Sequence, residues 1–367
     1  MQEFTHIKRV VIKVGTRVLS KEGRLEEQQI KEIGEQIKYL LNRKIKVVLV
    51  SSGAIAAGLG MLGLKRKKGF LPFQQGLAAI GQVELMNRYK HSLQPYLSAQ
   101  ILLTREDLNQ RQRYLNVRHT LSILWEWGVV PIINENDSVS TEEIKFGDND
   151  LLASLVASLV NAQLLLILSD VEGFYSEGRK VVSVVERITP AIERMVFEQE
   201  EGLSKGGMAS KLQAAKIATR AGIPTLIANG REKGIVKQII EGRKKGTLFL
   251  AQKKLPARKS WIAFSSLPSG EVIVDKGAKE ALLKKGKSLL SSGIVGTKGR
   301  FKVGDVVSII DENGEEIGRG LVNYSQEEVE KIKGLQSREI ERRLGYRYYE
   351  EVIHRDNLYC SESEESK

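Results

Sequence analysis

Cysteine is nearly missing from this chain. Cys360 is the only one in 367 residues, so no intrachain disulfide and no multi-cysteine zinc site can form. Such usage fits a reducing compartment, and a cytoplasmic location is expected. The four histidines, His6, His91, His119 and His354, are scattered without ligand spacing, and no protein-held metal is expected. The first residues, MQEFTHIKRVVIKVG, hold no apolar segment long enough for a signal peptide. One uncharged stretch, Leu151 to Ser169, approaches the length of a membrane span. It contains Ser154, Ser158, Asn161 and Gln163 and is closed by acidic residues. It reads as a buried helix, a short turn and the strand LLLIL, with no membrane partner expected. No Walker A pattern, internal repeat or arginine-rich tail is present. GLGMLG (Gly58 to Gly63) matches GxGxxG, but GAIAAG separates it from its strand, so it reads as a turn. HRDNL (His354 to Leu358) resembles a kinase catalytic loop, but the nine residues after it leave no room for the rest of such a site.

What is present is ordinary globular material: 41% apolar and 28% charged residues, enough chain for about two domains. The net charge of +12 is unevenly placed. Residues 256–367 carry 19 basic and 19 acidic side chains, whereas residues 1–255 carry 38 and 26. A basic first part suits polyanionic substrates.

Five apolar runs recur in that first part: VVIKV from Val10, IKVVLV from Ile45, VVPII from Val129, LLLIL from Leu164 and PTLIA from Pro224. Helical patterns separate most of them. Ile30, Ile33, Ile37, Leu40 and Leu41, for example, share one face. Apolar strands alternating with helices predict a mostly parallel sheet covered on both sides, with ligands beyond the strand C-termini. Near residue 255 the pattern changes. KKLPARKS reads as a linker, followed by GEVIVD, a helix around Ala278 to Lys284, and two strands flanking a hairpin turn at Asn313–Gly314. The expected organisation is a catalytic domain over 1–255, a linker over 256–267, a small mostly β domain over 268–352 and a tail over 353–367, ending in SESEESK, read as disordered.

The chemistry-bearing motifs follow the strand runs. KVGTRVL (Lys13 to Leu19) sets an ammonium beside a tight glycine turn, suited to phosphate. VSSGAIAAG (Val50 to Gly58) opens a helix, whose free N–H groups bind anions. INENDSVSTEEIKFGDND (Ile133 to Asp150) crowds Glu135, Asp137, Glu142, Glu143, Asp148 and Asp150 beside Asn134, Asn136 and Asn149. Such carboxylates suit a substrate ammonium, Mg²⁺ or catalytic lysines. LSDVEGFYS (Leu168 to Ser176) and SKGGMASKLQAA (Ser204 to Ala215) follow, the latter with paired glycines before a helix bearing Lys211, like a second phosphate cradle.

In this order SSGAIAAG, LAAIGQ, QILLTREDL, INEND, EIKFGDND, GGM-x-x-KLQAA and GTLF closely resemble the glutamate 5-kinase branch of the amino acid kinase family, over nearly the whole chain. The C-terminal part resembles a PUA domain, a β-rich fold best known from RNA-modifying enzymes. The resemblance implies an αβα sandwich with a small PUA-like domain. It also implies ATP-dependent, Mg²⁺-assisted phosphorylation of the L-glutamate side-chain carboxylate, the first step of proline biosynthesis. By the same resemblance Lys13 and Lys211 contact the phosphates and Asp150 holds both lysines. Ser52, Asp137 and Asn149 bind glutamate. Ser169, Asp170, Lys205, Gly206, Gly207, Met208, Ala209 and Ser210 join the two lysines in binding nucleotide. A homo-oligomer, dimer or tetramer, and feedback inhibition by proline are implied too. The chain departs from the pattern where GTS reads GTR (Arg17), TD reads Ser169–Asp170 and GTGGM reads SKGGM. The segment from Asp170 to Gly206 is also shorter than usual and lacks its typical Asp-Pro. Two alternatives stand beside this reading: a sister carboxylate or nucleotide kinase, and an RNA-binding protein acting through the PUA-like part. The zero net charge of residues 256–367 gives little support to phosphate-driven binding, but leaves it open.

Overall fold

A computed structural model describes residues 4, 6–64, 70–139, 149–175, 180–200, 207–252 and 256–360. The chain divides into two compact units, Met1–Lys254 and Leu255–Lys367.

The first unit is built on an eight-stranded sheet. In chain order its strands are β1 (Arg9–Val14), β2 (Lys46–Ser51), β3 (Ser98–Leu103), β4 (Val130–Glu135), β5 (Leu164–Ser169), β6 (Val184–Val185), β7 (Thr225–Asn229) and β8 (Thr247–Phe249). Their spatial order is β3-β4-β2-β1-β5-β7-β8-β6. All neighbours run parallel except β7 and β8. The five apolar runs are β1, β2, β4, β5 and β7, the inner strands. Each is flanked on both sides, so continuous Val, Ile and Leu is what burial demands. The periodicity misses three strands. β3 is a half-exposed edge strand, and β6 and β8 have two and three residues; none carries a long apolar run.

Helices α1 (Glu27–Asn42), α2 (Ala54–Met61), α3 (Leu71–Ser92), α4 (Arg111–Glu126), α5 (Asn149–Leu159), α6 (Pro190–Glu200), α7 (Gly207–Arg220) and α8 (Ile235–Ile240) connect the strands. α1 buries Ile30, Ile33, Ile37 and Leu40, the face its spacing predicts, with Leu41 half-buried. α5 is buried along its whole length and leads into β5. The uncharged stretch from Leu151 to Ser169 is thus a core helix and strand, and no described helix is long and apolar enough to cross a membrane.

GLGMLG is not a simple turn. Gly58 and Gly60 lie inside α2, and only Gly63 takes the left-handed conformation. The reason is packing. A Cβ on Gly58 would lie 2.1 Å from the Leu77 carbonyl oxygen, and one on Gly81 would lie 1.8 Å from the Ala54 carbonyl oxygen. Glycine on both sides lets α2 and α3 cross backbone to backbone.

The second unit holds a five-stranded sheet of β9 (Gly270–Val274), β10 (Ile294–Gly299), β11 (Val306–Asp311), β12 (Glu316–Leu321) and β13 (Leu358–Cys360), in the order β10-β9-β11-β12-β13. Only β9 and β11 pair in parallel. The turn between β11 and β12 contains Asn313–Gly314, with Gly314 at φ +84°. Val272, Val307, Ile309, Val329 and Ile353 are fully buried in its core. Two segments differ from the sequence reading. The run read as a linker is helical over Ala257–Ser260 and Trp261–Ser265 and buries Trp261, Ile262 and Ala263. The start of the supposed tail buries Ile353 and contributes β13 to the sheet. Both stretches are too short and too mixed with charge to show a period. SESEESK lies outside the described residues.

Candidate functional site

The parallel strands end on one edge, and each delivers polar residues there. β1 ends with Lys13 and Val14 before Gly15. β2 ends at Ser51 before Ser52 and Gly53. β4 ends at Asn134 and Glu135 before Asn136 and Asp137, and β5 ends at Ser169 before Asp170. The first turn of α5 brings Asn149 and Asp150, and the start of the second turn of α7 brings Lys211.

Three of these residues form an ionic centre. Asp150 Oδ1 lies 2.5 Å from Lys13 Nζ, and Asp150 Oδ2 lies 3.0 Å from Lys211 Nζ. Lys211 Nζ also donates to the Gly207 carbonyl, 2.8 Å away, which ties the lysine to the first turn of its own helix. All three side chains are buried, Asp150 to 1% exposure. Burial pushes the Asp150 carboxyl up, but the Lys13 and Lys211 ammonium groups outweigh it and hold the group below its ordinary value. Two ammonium groups against one carboxylate leave a net positive charge in a place shielded from water. That is an unfavourable arrangement unless an anion completes it. The Gly15 N–H, next to Lys13 in the chain, donates to the Leu168 carbonyl at 3.0 Å.

Next to the ions lies a neutral cluster. Asn149 Nδ2 donates to Ser52 Oγ at 2.8 Å and to Asn134 Oδ1 at 2.9 Å. Asn134 Nδ2 in turn donates to Gln82 Oε1 at 2.8 Å. Asn149 Oδ1 is buried and accepts from no donor among the described residues. Asp137 opens a one-turn 3₁₀ helix, Asp137–Val139, and burial alone raises its carboxyl above the usual value.

On the other side of β1, Ser169 Oγ donates to Asp170 Oδ1 at 3.1 Å, and Arg17 Nη1 bonds Asp170 Oδ2 at 3.1 Å. Burial raises the Asp170 carboxyl, but Arg17 and further hydrogen bonds prevail and lower it. Ser210, beside Lys211, has a buried hydroxyl with no partner among the described residues.

The structure therefore brings Lys13, Asp150 and Lys211 together, Ser52 with Asn149, and Ser169 with Asp170. Gly207, Met208, Ala209 and Ser210 form the first turn of α7. Lys205 and Gly206, with Glu142, Glu143 and Asp148, lie outside the described residues. Asn134 and the Gln82 of LAAIGQ belong to the motifs above, but the sequence assigns neither a role. The signal was a glutamine beside a glycine on the buried side of a helix. In the sequence Arg17 stands out only as a departure from the family pattern; its ion pair with Asp170 needs the fold.

Among the described residues no three His, Cys, Asp or Glu side chains converge, and both oxygens of Asp150 face ammonium groups.

The amino acid kinase family profile matches residues 8–229. The chain belongs to the amino acid kinase family. The matched span contains every site residue discussed above, and a PUA domain match covers residues 270–344. Among curated relatives, a glutamate 5-kinase of Thermoanaerobacter sp. is 50% identical over 364 residues, covering 96% of this chain and 98% of its own. The glutamate 5-kinase of Thermus thermophilus is 46% identical over 361 residues, covering 97% and 98%. Among solved structures, a UMP kinase from Bacillus anthracis aligns with a TM-score of 0.44 at 16% identity, over 68% of this chain and 98% of its own.

Proposed function

We propose that this chain is a glutamate 5-kinase: it transfers the γ-phosphoryl group of ATP to the side-chain carboxylate of L-glutamate, giving L-glutamyl 5-phosphate and ADP in the first step of proline biosynthesis. The observation that carries the reading is the buried Lys13–Asp150–Lys211 centre with its excess positive charge. Phosphoryl transfer needs little covalent help. It needs in-line positioning and neutralisation of charge on the transferring group. The glutamate carboxylate is already ionised at neutral pH, so no general base is required. Its oxygen forms the new bond to phosphorus as the bond to the bridging oxygen of ADP breaks, and that oxygen keeps the electron pair. Lys13 on β1 and Lys211 on α7 meet the transferring group from two separate elements, and Asp150 fixes the distance between them.

Ser52 and Asn149 hold the amino-acid substrate from one side, and the Asp137 carboxylate pairs with its α-ammonium. Ser169, Asp170, Gly207, Met208, Ala209 and Ser210 bind the nucleotide, together with Lys205 and Gly206. The unpartnered hydroxyl of Ser210 supports this side. Mg²⁺ enters as part of the MgATP substrate, its ligands supplied mainly by the phosphates. A cytoplasmic location, a dimer or tetramer and inhibition by proline belong to the same reading, carried by the family resemblance alone.

Hydroxylamine trapping of the acyl phosphate tests the proposal. The purified chain with MgATP should give the hydroxamate from glutamate. A faster reaction with acetylglutamate, aspartate, carbamate or UMP, followed by ADP release, would move it to a sister kinase.

A further inference from the structure

We infer that Gln82 is a positioning residue of the substrate site. It anchors an amide chain of fixed direction that turns the Asn149 carbonyl oxygen toward the ammonium group of an amino-acid substrate. The inference rests on the glutamate reading above and adds a residue and an atomic role to it.

The direction follows from one backbone group. The Glu135 N–H donates to the Asn134 side chain at 2.9 Å, so the atom it meets is the oxygen, Oδ1. The other end of Asn134 is then its NH₂, which donates to Gln82; the Gln82 atom it meets, 2.8 Å away, is Oε1. Gln82 Nε2 is left to donate outward to Gln100 Oε1 at 3.3 Å, on the exposed edge strand. In the other direction the Asn149 atom 2.9 Å from Asn134 Oδ1 is its NH₂, which also bonds Ser52 Oγ. Each NH₂ group of the chain thus donates inside the protein, and what remains is Asn149 Oδ1, buried and without a donor among the described residues.

An orphaned buried acceptor selects a ligand that donates. Of the groups on glutamate, the ammonium donates and the ionised carboxylates do not. Asn149 Oδ1 and the Asp137 carboxylate then act as two acceptors for one ammonium. Gln82 is held where it can serve this chain by Gly81, whose missing Cβ lets α3 lie against Ala54. With Gln82 removed, Asn134 loses its acceptor at 2% exposure. It must then turn or stay unsatisfied, and the hold on Asn149 weakens.

The test compares Gln82→Met, which has no acceptor of this kind, with Gln82→Glu, which keeps one. Full-length protein is assayed with MgATP against glutamate and against glutarate, which has both carboxylates and no amine. In Gln82→Met the KM for glutamate should rise about tenfold, the scale of one buried hydrogen bond. Its kcat and its KM for ATP should stay within about threefold, and the preference for glutamate over glutarate in kcat/KM should fall by the same tenfold. Gln82→Glu should keep most of that preference. Gln82→Leu replaces Gln82→Met if the latter gives no cooperative melt. Equal losses on glutamate and glutarate, or an unchanged preference in the acceptor-free variant, would overturn the inference alone. Failure of the unaltered protein to use glutamate would instead overturn the functional reading beneath it.

Discussion

Asn149 and Asp150 are adjacent at the start of α5, yet they lead into opposite kinds of chemistry. Asp150 reaches two ammonium groups, in a buried centre whose charges do not cancel. Asn149 reaches a serine and an asparagine, in a cluster where hydrogen-bond direction, not charge, is the information. The ionic side suits a group whose charge is redistributed during reaction. The amide side suits a group that must be recognised and held still. One helix start thus couples the chemistry to the recognition, and the two sides should separate in kinetics: the first in kcat, the second in KM.

The largest expected effect breaks the ionic side. Asp150→Ala leaves two buried ammonium groups facing each other without a counter-ion. Loss of one member of a buried ion pair costs about 3–5 kcal/mol, so a clear drop in melting temperature should accompany loss of detectable turnover. A variant that melts like the parent would show that the centre is less enclosed than described. Next, Lys13→Ala should lower kcat by on the order of 10²–10³, the scale of removing one group that stabilises transition-state charge. A kcat within threefold of the parent would remove Lys13 from the chemistry.

A smaller effect should reach the amide side only. Gly81→Ala places a methyl group where the Ala54 carbonyl lies, and overpacking of this kind costs about 1–3 kcal/mol. α3 must shift, carrying Gln82 with it. The KM for glutamate should rise while the KM for ATP holds. A rise in both would mean that the two sides are mechanically joined through α2.

The smallest effect is a difference in pH response. The Asp150 carboxyl lies below its ordinary value, so its interactions persist above the unfolded pKa and fade only as pH falls through the lowered folded value. The Asp137 carboxyl lies above its ordinary value because of burial, so it takes up a proton earlier on acidification. As pH falls from neutral, the KM for glutamate should climb first. kcat should fail later, near the ionisation of the substrate carboxylate at about 4.3. Simultaneous loss would assign both effects to one group.

The two sides were not equally legible before the fold. Lys13, Asp150 and Lys211 sit in glycine-flanked motifs at the ends of strand runs or the starts of helices, and a charge in such a motif stands out in a sequence. The inner strands were equally plain, because parallel strands flanked on both sides must be apolar throughout. Gln82 and Asn134 carry no charge and form no motif with each other; 52 residues separate them. Their pairing depends on how α3 packs, and Gly58 and Gly81 let it lie against α2. The same holds for Trp261–Ser265 and Leu358–Cys360, short segments whose burial is decided by distant partners.

The separation of kcat from KM is tested most directly by Lys211→Ala and Asp137→Ala measured together, with ATP and glutamate varied independently. Lys211→Ala should lose kcat by on the order of 10²–10³ and keep its KM for glutamate within about threefold. Asp137→Ala should raise the KM for glutamate by at least about tenfold and spare the KM for ATP, because only the α-ammonium loses a partner. Loss of the same parameter in both variants, or a rise in the KM for ATP in Asp137→Ala, would contradict the division of the site into a charged side and a recognising side.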